Sequence, residues 1–198
     1  MGRKRNLGLA AGCLWLVVVS TVFADISLLV VRSRVANVLF AALSLVAAVL
    51  IVMSIAMLRA VFQVRDTTQP RPSEGRRLGR NFGAIVGVEG LVLTAVTLAC
   101  VYSRRWALIA PLDLMIVGLH FLPLAKLFDV PRYNITGALF CGIPVVTMLL
   151  IPADQFIGNA LSWLVIPSVG CAVVASITAW AGLREVGRFL HTSRATAQ

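Results

Sequence analysis

Six apolar runs of about twenty residues follow one another through most of the chain, and they dictate its architecture. They are residues 7–31, 36–58, 81–102, 106–128, 134–152 and 159–183. A helix rises about 1.5 Å per residue, so roughly twenty apolar residues cross a hydrocarbon core of about 30 Å. Inside that core water cannot satisfy backbone N–H and C=O groups, and a helix satisfies them internally. Strands of an outer-membrane barrel would be shorter and would alternate apolar with polar residues, which these runs do not. The expectation is an all-α polytopic membrane protein. It is a bundle of six transmembrane helices within a single transmembrane domain covering 1–198.

The first run begins after MGRKRN and passes VFA at 22–24, a pattern that resembles a cleavable signal peptide. It continues beyond Asp25 to Val31, so it is read as a retained helix. Position 6 lacks Ser or Thr, which argues against myristoylation. The region before Cys13 is too short for a lipoprotein signal.

The net charge of +10 follows from topology rather than from a nucleic-acid partner. With the N-terminus inside, Arg3, Lys4, Arg5, Arg59, Arg65, Arg71, Arg76, Arg77, Arg80, Lys126, Arg132, Arg184, Arg188 and Arg194 all fall on the inner side. Only Arg32, Arg34, Arg104 and Arg105 fall outside. Basic residues concentrate in cytoplasmic loops, so both termini are expected in the cytoplasm. The expected partners are membrane lipids, with anionic head groups at the cytoplasmic face, and a second copy or a partner membrane subunit. The expected location is the inner (plasma) membrane of a bacterial cell.

The polar loop expected at 59–80 is too short for a core of its own. Function therefore belongs to the bundle and its rims. Small-residue spacing at Gly8 and Gly12, and at Gly83 and Gly87, suggests close helix packing. Pro144 and Pro167 lie within apolar runs and should kink their helices.

A charge at mid-bilayer costs about 2.5–3.5 kcal/mol on insertion scales, so ionisable groups within spans turn toward protein and take partners. Four such groups form the expected ligand- or proton-binding set: Glu89, His120, Asp113 and Asp25. The helical rise puts Glu89 about 12 Å from the inner end of its helix and His120 about 10 Å from the inner end of the next one. The two therefore share a depth. Asp113 and His120 are seven residues apart and share a face of the fourth helix, which should point into the bundle. Glu89 should meet that stripe low and Asp25 should meet it high. Lys126, near Asp129 and Arg132, should reach the interface.

Cys13, Cys100, Cys141 and Cys171 show neither CxxC nor metal-ligand spacing, and no metal or other cofactor is expected. The sequence has no HExxH, GxSxG, P-loop or GxGxxG, so no catalytic residues are assigned and an intramembrane enzyme has little support.

The segment GLHFLPLAKLF (118–128), followed by NITGALFCGI, resembles a stretch of small uncharacterised bacterial integral membrane proteins grouped as a domain of unknown function. The resemblance covers the fourth and fifth runs. It implies a bacterial inner-membrane protein and carries over His120, Phe121 and Pro123 without a role. The reading that uses most of the polar residues is a small permease-like protein that binds a proton, cation or small polar solute in the bundle. The alternative is a non-catalytic accessory or sensor module.

Overall fold

A computed structural model describes residues 3–31, 33–63 and 72–195. They form six α-helices: α1 (Arg3–Val31), α2 (Arg34–Gln63), α3 (Pro72–Tyr102), α4 (Ile109–Phe128), α5 (Arg132–Leu150) and α6 (Ser162–Ala195). A 3-10 turn, Trp106–Leu108, leads into α4. A two-strand hairpin, β1 (Phe156–Ile157) and β2 (Ala160–Leu161), joins α5 to α6. Among the described residues, five stretches are long and apolar enough to cross a membrane by length and composition: 34–60, 79–102, 106–128, 132–150 and 162–188. α1 holds a further apolar stretch, 12–25, among the residues described. The chain is a multi-pass membrane protein of all-α class.

Several boundaries differ from the sequence expectation. Within the expected 59–80 loop, residues 64–71 lie outside the described residues, whereas 72–80 already belong to α3. Proline is suited to a first helical position, where its fixed φ and missing N–H cost nothing, and Pro72 occupies that place. At the other end α6 continues beyond 183, because Leu183 and Val186, three residues apart, are both fully buried.

The centre of the molecule is α1, α4, α5 and α6. Leu16, Leu114, Val117, Phe121, Tyr133, Phe140 and Val186 form its core. Phe121 packs against Tyr133 and Phe140, with ring centroids 5.7 and 5.8 Å apart. α2 lies against α1 and α6 through Ala47 and Leu50. α3 packs chiefly on α4.

The α4–α5 hairpin turns within three residues. Asp129 takes left-handed φ of 56°, the Val130 N–H donates to Ala125 O, and Pro131 precedes the next helix. The two helices then cross where neither has a side chain. A Cβ on Gly118 would lie 2.9 Å from Gly137 O, and one on Gly137 would lie 2.6 Å from Gly118 O. Contacts of this kind let backbones approach closely in lipid.

The expected glycine contact on α3 does not occur. Cβ atoms at Gly83 and Gly87 would meet nothing within 4 Å, because that face points away from the protein. Gly12 is the counter-example on α1. A side chain there would collide with the Tyr133 ring.

Candidate functional site

α3 is apolar along most of its length, yet in the described part its buried residues are Cys100 and the charged-type Glu89. Its seam with α4 explains this. The two helices form an antiparallel hairpin about the 103–105 turn, so residue pairs equidistant from that turn come opposite one another. Glu89 Oε2 lies 3.1 Å from His120 Nδ1. One level nearer the turn, Thr97 Oγ1 donates to both carboxylate oxygens of Asp113 at 3.3 Å. Seven or eight residues separate the levels, or about 11 Å along the helices.

The Glu89–His120 approach is close without being aligned as a hydrogen bond. Both His120 ring nitrogens are buried and have no hydrogen-bond partner among the described residues. Glu89, Asp113 and His120 are each only 6% exposed. The pair carries no net charge as carboxylic acid with neutral imidazole, and equally none as carboxylate with imidazolium. Either protonation arrangement of the pair therefore keeps net charge out of lipid.

The stripe of Asp113 and His120 faces α3 at the edge of the bundle. The core face of α4 is instead Leu114, Val117, Phe121 and Leu124. This corrects the expectation of an inward-pointing stripe. The hundred-degree step per residue is the physical reason: Phe121, one residue on, takes the centre, and His120 is carried sideways. Phe121 braces the imidazole edge-to-face at 5.9 Å.

Asp25 does not join the α4 stripe. Ser44 Oγ of α2 donates to both its carboxylate oxygens, at 3.2 and 3.3 Å. Its helix thus satisfies it through the α1–α2 hairpin, as α3 and α4 satisfy Asp113. Sequence reasoning missed both hydroxyl partners. For Thr97 the signal was available, since 97 and 113 are nearly symmetric about the 103–105 turn; Ser44 lies four residues further from its turn than Asp25 does, so counting would not have found it. Lys126 is exposed, and the described residues hold no group of three or more His, Cys, Asp or Glu side chains able to bind a metal. The cysteines are unbridged, and Cys13 Sγ donates to Ala179 O at 3.6 Å. Pro144 and Pro167 are buried in α5 and α6, away from the polar pair; Pro123 is the proline beside it.

A cleft of about 450 Å³ opens between α3 and α4 with Glu89 and His120 in its lining. Its other walls are apolar, among them Val88, Val92, Ile116 and Leu119. Val88 is 61% and Leu119 56% exposed, so the mouth opens on the side of the spans that faces lipid. The volume is that of an ordinary small-molecule pocket.

Compared with protein-family models, curated proteins and solved structures, the chain matches none. The resemblance carried by 118–128 therefore identifies no family. The long apolar helices stand on their own as the marks of a multi-pass membrane protein.

Proposed function

We propose that this protein is a non-catalytic sensor or accessory module of the bacterial inner membrane, and that its ligand enters the α3–α4 cleft sideways from the bilayer. In this reading α1 is a sixth span and both termini are cytoplasmic, as the distribution of basic residues supports. The observation that carries the reading is a shielded Glu89–His120 pair in an apolar cleft whose outer walls face lipid. A water-soluble solute would find apolar walls around one polar spot. A lipid-soluble molecule with one hydroxyl, amine or carbonyl group would find apolar walls for its body. The Glu89–His120 pair in the lining is the polar spot that its polar group would meet.

The test is labelling with a photoactivatable long-chain fatty alcohol in proteoliposomes. Adducts should fall within 84–92 and 116–123, and His120→Phe should remove them. Labelling spread evenly over the lipid-facing helices, or unchanged in His120→Phe, sinks the proposal.

A permease-like reading keeps support from one specific feature. The Glu89–His120 and Thr97–Asp113 contacts lie one above the other on a single seam, as in a proton path. It requires proton flux into proteoliposomes that Glu89→Gln and Asp113→Asn both abolish. Flux indistinguishable from that of protein-free vesicles removes this reading and leaves the module.

A further inference from the structure

The seam between α3 and α4 is built in levels. At one level Phe82 meets Phe128, with ring centroids 5.9 Å apart. At the next, seven residues on along α3, Glu89 Oε2 lies 3.1 Å from His120 Nδ1. Beyond them Thr97 donates to the Asp113 carboxylate. An aromatic contact thus bounds the polar pair on one side. A carboxylate that already has its hydroxyl bounds it on the other.

The charge of the cleft is correspondingly simple. Among its described lining residues Glu89 and His120 are the ionisable ones, and the rest are Ala, Ile, Val, Leu and Pro. Arg80 on α3 and Lys126 on α4 are exposed, nine and six residues from the pair, and neither lines the cleft. Glu89 therefore has no fixed cation in the cleft. A lone charge in an apolar span costs about 2.5–3.5 kcal/mol, so the carboxyl ionises only while its proton stays beside it. In the free protein the base that can keep that proton is His120. A ligand that holds the proton more firmly takes over this part.

Basicity identifies such a ligand. An aliphatic amine is a stronger base than imidazole by about four pKa units in water, the ordinary difference between Lys and His side chains. Both bases are neutral and become monocations, so passing the proton from one to the other leaves the charge count unchanged. The neutral form of a long-chain amine dissolves in lipid and reaches the mouth of the cleft, where Val88 and Leu119 are exposed. Its ammonium form has three N–H donors, and the pair answers with two carboxylate oxygens and the one lone pair of a neutral imidazole.

We propose, on the reading of the cleft as a site entered from lipid, that its occupant is a long-chain primary amine held as the ammonium ion. One proton moves. Where the pair is carboxylic acid with imidazole, the Glu89 O–H bond breaks and an N–H bond forms on the amine. Where it is carboxylate with imidazolium, a His120 ring N–H bond breaks instead. Both routes end in ammonium, Glu89 carboxylate and neutral His120, with no net charge. An alcohol or a carbonyl compound takes up no proton. A quaternary ammonium offers no N–H donor, and a fatty acid sets a second negative charge beside Glu89.

The full chain in phosphatidylcholine nanodiscs tests this, with the photoactivatable fatty alcohol as reporter and dodecylamine, dodecanol and dodecyltrimethylammonium as competitors. Dodecylamine should displace labelling from 84–92 and 116–123 at about tenfold lower mole fraction than dodecanol, the difference that one charge-assisted hydrogen bond supplies. Dodecyltrimethylammonium should do no better than dodecanol. Equal displacement by dodecylamine and dodecanol overturns the amine assignment and leaves the cleft a lipid-side site. Equal displacement by dodecylamine and dodecyltrimethylammonium also overturns it, because charge alone is then recognised. Absence of labelling from both segments overturns the lipid-side reading itself, and the amine with it.

Solid-state NMR supplies a second readout, with nitrogen-labelled dodecylamine and carboxyl-labelled glutamate. A through-space signal between the two labels is expected in the wild type and should be lost in Glu89→Gln. A signal that survives in the variant comes from another glutamate and overturns the proposal.

Discussion

Glu89 Oε2 of α3 lies 3.1 Å from Nδ1 of His120 on α4, and the two side chains shield one another from the surroundings almost completely. Each is the reason the other can lie in an apolar span. Removing one partner leaves the other buried alone, which in general costs more than removing both. The contact is not aligned as a hydrogen bond, so its contribution should be modest, within the range measured for polar contacts between membrane helices.

The first prediction is a double-mutant cycle on this pair. Glu89→Leu alone should destabilise the detergent-solubilised protein by about 1–2 kcal/mol, because the imidazole is left without its neighbour. His120→Phe alone should behave similarly. The double variant should be less destabilised than the sum of the two, with a coupling of about 0.5–1.5 kcal/mol. Reversible unfolding followed by tryptophan emission measures it. Strict additivity would mean that the side chains meet without interacting.

The second prediction contrasts two glycines. Gly137→Ala places a methyl group against the Gly118 carbonyl, an approach that real Cβ atoms do not make, so α4 and α5 must separate. A loss of about 1–3 kcal/mol is expected, as for overpacking elsewhere. Gly87→Leu places its side chain in open space on α3 and should leave the melting temperature within about a degree of wild type, as surface changes usually do. Equal losses in the two variants would show that α3 has a protein neighbour on that face.

What could be read from the sequence divides along physical lines. Apolar run length reports whether a helix suits the bilayer, and it located all six helices. It says nothing about which side of a helix meets protein, since lipid tails and core side chains are equally apolar. For that reason Gly83–Gly87 and Gly118–Gly137 could not be ranked, and the crossing at Gly118 was missed. Depth, in contrast, follows from counting residues, and it placed Glu89 beside His120. Counting about the turn would also have paired Thr97 with Asp113, but not Ser44 with Asp25, which are offset by four residues about theirs. The direction of the α4 stripe was not legible, because His120 and Phe121 differ by only one step of the helix. The bulkier ring took the centre. The contact of Arg184 with the Trp180 ring was legible, in their four-residue spacing.

The third prediction concerns how α3 is held. Its lipid-facing residues gain nothing from leaving lipid for the protein, because the two environments are equally apolar. Two polar contacts, Glu89 with His120 and Thr97 with Asp113, therefore carry a large share of its docking on α4. Thr97→Val removes the hydroxyl that donates to the Asp113 carboxylate, and Glu89→Leu removes the lower contact. Either variant alone leaves one contact to fix the register of α3. The two together should let α3 swing away from α4 while the core of α1, α4, α5 and α6 stays intact. Spin labels at Leu93 on α3 and Ile116 on α4 should then report a broad distance distribution in the double variant and a narrow one in the wild type. A second label pair on the core helices, at Val146 and Val173, should not change. If the α3–α4 distance stays narrow in the double variant, the helix is held by its apolar contacts near Phe82 and Phe128, which pack at 5.9 Å, and the polar seam is not what docks it.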